Sequence, residues 1–255
     1  MGSPFSVKPN RLPLECMGSP NFAKAVSKLK RLVLDIYSDE DYDFVPKRIL
    51  PLVKNLEALK LSYTATTDCW TFPDANESFK SLQTGGIGFL RELHLKKLNT
   101  TKDGILSLLE SCSSTLRALT LHFVNVTMQR PGNYRTLLHL IASRLPHLRE
   151  FVLRDLCDNT SIFFDGLLEN SDNITQLPPF DFTLIISPRA DFQGIEGEKC
   201  IVGVMYEGTE ASNALRHLSS STVSWSDIST IELADNFYKA LKDWDISKAL
   251  DNEYW

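Results

Sequence analysis

Several features that define other classes of protein are missing from this 255-residue sequence. No stretch approaches the ~18 uncharged apolar residues of a transmembrane helix, so we expect no membrane association. The first twenty residues contain prolines and glycines where a signal peptide needs an apolar segment. A net charge of −5 lacks the basic excess of a general nucleic-acid binder. We therefore expect a cytoplasmic or nuclear protein that binds neither membranes nor nucleic acid.

The common catalytic and metal-binding motifs are also missing. Five cysteines are dispersed at intervals of 43 to 53 residues, without a C-x-x-C pair or a cysteine–histidine cluster, as is typical of reduced thiols. The sequence contains no G-x-S-x-G, H-E-x-x-H or Walker-type phosphate loop. We expect a protein that is not an enzyme and that needs no metal and no cofactor.

What the sequence does contain is a repeated leucine pattern, L-x-x-L-x-L. Two copies between Leu90 and Leu121 flank a segment in which Thr101-Lys-Asp-Gly predicts a helix start. The copies recur every 26 to 34 residues, near or above the ~20–29-residue period of leucine-rich repeats. The copies begin at Leu29, Leu56, Leu90, Leu116 and Leu148.

A unit of one strand and one helix cannot bury its apolar surface alone, so each copy needs a neighbour of the same kind. The predicted fold is therefore an α/β leucine-rich-repeat solenoid. It would form a short horseshoe with parallel strands on the concave face and helices on the convex face. An ordinary α/β domain with alternating strands and helices is the alternative.

The pattern divides the chain into three segments. Residues 1–20 are expected to be irregular, and residues 21–178 to form the leucine-rich repeats. Residues 179–255 are expected to be atypical repeats that cap the open end of the solenoid. Helices are predicted at 22–28, capped by Asn21, and at 46–55, 133–145, 161–170, 210–218 and 229–241, and strands at 182–186 and 200–206.

The stretch from Leu90 to Leu121 resembles the repeats of F-box/LRR proteins, the substrate receptors of cullin-based ubiquitin ligases. The sequence from Asn99 to Ile105 loosely matches the helix start (I/L)-T-D-x-G-L of that family, and Cys112 stands at its helix-end cysteine. The divergent repeats with long polar insertions are similar to fungal F-box-like proteins over residues 22–170. The resemblance implies the recognition of a ubiquitination substrate.

The sequence departs from the family pattern in two ways. No F-box is visible, because the apolar helices that should follow Leu12-Pro-Leu-Glu are missing. Docking to a ubiquitin-ligase adaptor is then expected only if an F-box is supplied elsewhere. The buried Asn or Cys that follows the strand in many repeats is replaced by Tyr37, Thr64, Leu98, Val124 and Leu156.

A candidate binding surface follows from the alternation of side chains along each strand. In each copy, the residues on either side of the third leucine are expected on the concave face, about 4.8 Å from their neighbours in the next strand. The basic residues at these positions are Lys60, His94, Lys96, His122 and Arg154. A basic stripe in an acidic chain predicts a protein partner with an acidic surface.

These observations predict a protein–protein interaction module, with substrate recognition for a ubiquitin ligase as its specific form. One alternative is a stand-alone leucine-rich-repeat scaffold or regulator without a ligase connection, and another is a solvated face with scattered charge. A third is a divergent α/β enzyme that uses His94 and His122, if these two side chains face each other across adjacent strands.

Overall fold

The computed structural model describes residues 5–7, 18–36, 47–63, 73–127, 134–158, 162–164, 180–188, 199–221 and 224–225. These residues form an α/β protein built on one open, mostly parallel sheet of eight strands. The strands are β1 (Phe5–Val7), β2 (Arg31–Ile36), β3 (Ala58–Tyr63), β4 (Glu92–Thr101), β5 (Ala118–Thr127), β6 (Glu150–Arg154), β7 (Ile162–Phe163), β8 (Thr183–Pro188), β9 (Lys199–Glu207) and β10 (Ser224–Trp225). The helices are α1 (Pro20–Val26), α2 (Asn76–Gly85), α3 (Lys102–Ser111), α4 (Tyr134–Arg144) and α5 (Ala211–Ser221).

The order of strands in the main sheet is β1-β2-β3-β4-β5-β6-β9-β8. Strands β1 to β6 lie in chain order, and each is parallel to the one before it. Strands β8 and β9 pair antiparallel with each other, and β9 pairs antiparallel with β6. Strands β7 and β10 form a separate two-stranded sheet.

The leucine pattern fixes the register of strands β2 to β6. The second leucine position of each copy lies beside the same position in the next strand, and the third position does the same. All ten side chains are at most 1% exposed, because they point into the core. These core residues are Leu32, Leu59, Leu93, Leu119 and Phe151 in one row and Leu34, Leu61, Leu95, Leu121 and Leu153 in the other.

The helices cover the leucine side of the sheet. The predicted start of α3 is confirmed, since the hydroxyl of Thr101 accepts a hydrogen bond from the Gly104 N–H at 3.1 Å. The apolar side of this helix joins the strand leucines in one continuous core. Its buried residues are Ile105, Leu106, Leu108 and Leu109.

Two of the predicted helices differ from the structure in detail. Helix α1 is capped by Ser19 and not by Asn21, because the Ser19 hydroxyl accepts a hydrogen bond from the Phe22 N–H and Pro20 follows as the first helical residue. The helix predicted at 46–55 is a single turn over 47–49 followed by a 3₁₀ turn, Leu50–Leu52. Pro51 has no N–H and disfavours helical geometry in the residue before it.

The helix predicted at 161–170 is wrong at its beginning, where the structure contains β7. Ile162 and Phe164 are both buried and lie two residues apart, which is the spacing of a strand and not of a helix. Within the N-terminal segment expected to be irregular, β1 pairs with β2. Helix α2, in the longest insertion between copies, was not predicted from the sequence.

The C-terminal part of the described chain forms a hairpin and a helix. The strands predicted at 182–186 and 200–206 are confirmed as β8 and β9, and the helix predicted at 210–218 is confirmed as α5. Phe151 of β6 contacts Phe182 and Tyr206, so aromatic side chains join the hairpin to the core. The helix predicted at 229–241 lies outside the described residues. Among the described residues, no helix has the length and apolar character needed to cross a membrane.

Candidate binding face

The sheet face that points away from the helices carries the predicted basic residues, and we call it the polar face. Strand alternation puts the residue on either side of each buried leucine there. Lys60 lies beside His94 in the neighbouring strand. In the next row, Lys96 lies beside His122, and His122 lies beside Arg154. The structure therefore brings all five residues onto four adjacent strands.

The two histidines of the polar face do not contribute charge at neutral pH. Burial, followed by the nearby charges of Lys60 and Arg31, lowers the pKa of His94 from 6.5 to about 4. Burial also lowers the pKa of His122, although Asp155 opposes this shift. The positive charge of the stripe therefore comes from Lys60, Lys96 and Arg154, a narrower set than the sequence predicts.

The two histidines also do not face each other. His94 lies beside Thr120 in the neighbouring strand, whereas His122 lies beside Lys96. The direct pairing of the two histidines across the strands, on which the enzyme alternative was based, is therefore wrong, and they are diagonal neighbours on the polar face. Among the described residues, no group of three or more His, Cys, Asp or Glu side chains is arranged to hold a metal ion.

The structure adds Asp155, which the sequence did not indicate, to this face. Its Oδ2 accepts a hydrogen bond from Nε of Arg154 at 3.0 Å and lies 3.5 Å from Nε2 of His122. The ring of Phe123 stacks on the His122 imidazole, with the ring centres 4.6 Å apart. His122 is only 8% exposed. This cluster is a largely buried, mutually contacting part of the polar face and not a freely exposed charge.

Three residues at the edge of the cluster have left-handed backbone conformations. Lys97, Phe123 and Asp155 have φ angles of 56°, 53° and 49°. Such angles are uncommon for residues other than glycine and cost about 1–2 kcal/mol each. They occur at the same position in three successive repeats, directly after Lys96, His122 and Arg154.

These left-handed residues explain why apolar side chains stand where the resemblance to F-box/LRR repeats predicts a buried Asn or Cys. Because the backbone turns at that point, the residue that follows enters the core, and Leu98, Val124 and Leu156 are all at most 1% exposed. Strands β4 and β5 then continue side by side to Thr101 and Thr127. The apolar residues thus take over the buried position that Asn or Cys occupies in the family. Tyr37 and Thr64 lie outside the described residues.

Cys112 and Cys157 are unsuited to nucleophilic chemistry. Burial raises the pKa of Cys112 to about 12, and it does the same for Cys157, where Asp155 and Asp158 add to the shift. A thiol must lose its proton to act as a nucleophile. Both side chains therefore remain protonated at neutral pH.

No protein-family model matches this sequence, and a search of curated proteins found no match either.

Proposed function

We propose that this chain is a leucine-rich-repeat solenoid that binds the acidic surface of a partner protein on its polar face. In its specific form, it would be the substrate-recognition part of an F-box/LRR-like ubiquitin-ligase receptor. The observation that carries the proposal is the alignment of Lys96, His122 and Arg154 on three adjacent strands, with Lys60 and His94 in the row beside them.

The strand order supports the solenoid part of the proposal. Each parallel strand lies beside the strand that precedes it in the chain, as in an array where each unit contacts only its neighbours. In a doubly wound α/β fold, the strand order reverses and helices cover both sheet faces. The described α2, α3, α4 and α5 instead follow one another as packed neighbours. The hairpin of β8 and β9 would then be the start of a cap.

The shape and charge of the polar face support partner binding. Its side chains project from hydrogen-bonded strands, so little backbone freedom is lost when a partner binds. Lys60 and Lys96 provide cations on neighbouring strands, and Arg154 is held by Asp155 at 3.0 Å. Such a surface steers an acidic protein toward it and favours it over a basic one.

The ligase connection depends on the family resemblance alone. It implies that an adaptor would join this chain through an F-box supplied elsewhere. A stand-alone scaffold or regulator with the same binding face is the alternative. The two differ in one observable property, which is whether adaptor and cullin subunits copurify with the chain.

The test is an affinity pull-down from cell extract with three forms of the protein. The first is the wild type, and the second carries alanine at Lys60, His94, Lys96, His122 and Arg154. The third is a control with the same residue types replaced at exposed positions away from the polar face. The control positions are Lys24, Lys54, Arg135, His139 and His147.

We expect a partner that is retained by the wild type and the control but lost from the polar-face variant. Because His122 is buried, a Lys60→Glu/Lys96→Glu variant that leaves it intact is used as well, and circular dichroism checks that each form is folded. A partner retained equally by all forms would overturn the assignment of binding to the polar face. Adaptor and cullin subunits bound to every form would support the ligase connection, and their absence would favour a scaffold.

A further inference from the structure

A second charged surface lies where the strands begin, outside the polar face. In each repeat, the residue after the first leucine is the last residue before the strand. In the last three repeats this residue is an arginine: Arg91, Arg117 and Arg149. In the first two it is Lys30 and Glu57. We call these five residues the start column.

The backbone of the start column is held by a repeated pair of hydrogen bonds. The carbonyl of Arg91 accepts the N–H groups of Arg117 and Ala118 at 2.7 and 2.9 Å. The carbonyl of Arg117 accepts those of Arg149 and Glu150 at 2.7 and 3.0 Å. Neighbouring start-column residues are therefore fixed at the spacing of adjacent strands, about 4.8 Å.

The arginines of the start column line a groove. Two adjoining cavities of about 370 and 400 Å³ share Arg91 and Thr115 in their walls. The first is also lined by Lys28, Lys30 and Glu57, and the second by Arg117 and Arg149. This groove contains five cationic side chains and one carboxylate, in a chain whose net charge is −5.

The carboxylate in the groove does not neutralise the arginines. The Oε1 atom of Glu57 accepts a hydrogen bond from Lys30 Nζ at 2.7 Å. This bond and the charge of Lys30 lower the pKa of Glu57 despite the opposing effect of burial, and Arg91 adds to the lowering. Glu92 directly follows Arg91, but strand alternation directs it to the polar face, where it pairs with Arg31 at 3.0 Å.

The three arginines have different roles in the groove. Nη1 of Arg117 donates hydrogen bonds to the carbonyls of Ser114 and Leu116, so its guanidinium is fixed in place. Arg91 and Arg149, on either side of it, are exposed. Guanidinium groups bind carboxylates through two parallel hydrogen bonds, which gives both strength and geometry.

An exposed aromatic side chain completes the groove. Phe89 lines the first cavity and is 61% exposed. It is the one large hydrophobic side chain with this degree of exposure among the described residues. A single exposed apolar residue is ordinary, but this one lies beside the arginines and offers a contact for an apolar side chain of the same ligand.

We propose that this groove binds an extended acidic segment of a partner protein, with its carboxylates on the start-column arginines and an apolar residue against Phe89. Alternate side chains of an extended peptide repeat at about 6.6–6.8 Å. This distance is larger than the spacing of about 4.8 Å between neighbouring arginines of the start column. The arginine side chains are long enough to reach across the difference. This surface is separate from the polar face, and its occupation does not depend on the function proposed there.

The test is fluorescence anisotropy with a labelled poly-glutamate peptide that contains one tryptophan. We expect the full chain to bind it in a salt-dependent manner and an Arg91→Glu/Arg149→Glu variant to bind it at least tenfold more weakly. An Arg135→Glu/Arg216→Glu variant is the matched control, because both of its arginines are exposed on helices; it should bind like the wild type. If the first variant is unstable, Arg91→Gln/Arg149→Gln replaces it.

Three results would overturn the proposal. The first is undiminished binding by the start-column variant, and the second is an equal loss in the control. The third is tighter binding of a single-stranded oligonucleotide of equal charge, which would make the groove a nucleic-acid surface. If only the Lys60→Glu/Lys96→Glu variant lost peptide binding, the peptide would be bound on the polar face instead. Phe89→Ala should weaken binding of the peptide that contains tryptophan. It should leave the binding of a tryptophan-free peptide unchanged.

Discussion

The two faces of the central sheet differ in how much their residues vary between repeats, although the same strands form both faces. On the helix side, the third leucine position contains leucine in all five copies, and each side chain is fully buried. The next residue along each strand, on the polar face, is different in every copy. Those five residues are Asp35, Ser62, Lys96, His122 and Arg154. The helix side is therefore restricted by packing, whereas the polar face is free to take side chains suited to a ligand.

The largest effect should come from a change on the helix side. Leu95→Ala removes a side chain with no exposed surface, so we expect a loss of about 2–5 kcal/mol in the free energy of unfolding. Lys96→Ala, one residue away on the polar face, should change it by less than about 0.5 kcal/mol. Urea denaturation followed by circular dichroism measures both values. Similar losses for the two variants would contradict the division between the faces.

Asp155, in the cluster with His122 and Arg154, should be an exception to the low cost of changes on the polar face. Asp155→Ala removes the carboxylate that pairs with Arg154 and lies near His122, and it leaves alanine in a left-handed conformation. We expect a loss of about 2 kcal/mol in the free energy of unfolding. Asp155→Asn, which tolerates that conformation and keeps an acceptor, should lose less. Equal stability of the alanine variant and the wild type would show that the cluster is not structural.

The polar-face histidines should make stability depend on pH. The pKa of His94 is 6.5 in the unfolded chain and about 4 in the folded one, so protons bind the unfolded chain more readily. Stability from this residue is complete above pH 6.5 and is lost as the pH falls toward 4. Because the side chain is partly exposed, we expect an effect of about 1 kcal/mol, or ~2–4 °C in Tm.

Thermal unfolding at pH 7 and pH 4.5 measures this effect. In a His94→Gln variant, the drop in Tm between the two pH values should be smaller than in the wild type. His139→Gln, at an exposed position on α4, is the control and should leave the drop unchanged. The same drop in all three proteins would mean that His94 is not linked to stability.

The smallest effect should come from glycine at a left-handed position. Lys97→Gly relieves the backbone strain at φ 56° but gives the unfolded chain more freedom, so the free energy of unfolding should change by less than about 1 kcal/mol. Lys97→Val should instead lower it by roughly 1–2 kcal/mol, because a β-branched residue is poorly tolerated there. Denaturation curves of the two variants give the comparison, and a valine variant as stable as the glycine variant would contradict it.

The features that could be predicted from the sequence are those that depend on packing on the helix side of the sheet. The register of five strands follows from the leucines, since a shift by one residue would turn Leu59 and Leu61 toward the polar face. The start of α3 follows from Thr101, whose hydroxyl is suited to a helix cap. The general position of the five basic residues follows from the same alternation.

The remaining features depend on contacts between distant or inconspicuous residues. Asp155 joins His122 only because β5 and β6 lie side by side. The low pKa of His94 results from burial, which its position in the pattern does not reveal. The left-handed backbone at Lys97, Phe123 and Asp155 could not be predicted, because none of these positions contains glycine. The start column could have been found in the sequence, because a basic residue follows the first leucine in four of five copies. It was missed because this position precedes the strand and the prediction considered only strand residues.

The order in which the strands pair also affects how the chain reaches its fold. Strands β2 to β6 each pair with the strand that precedes them in the chain, so every parallel pairing joins successive strands, which limits the entropy lost when the chain between them is closed. A growing chain on the ribosome can therefore add one strand and one helix at a time to structure already formed. The hairpin of β8 and β9 follows these strands in the chain, and β9 pairs with β6, the last of the parallel strands.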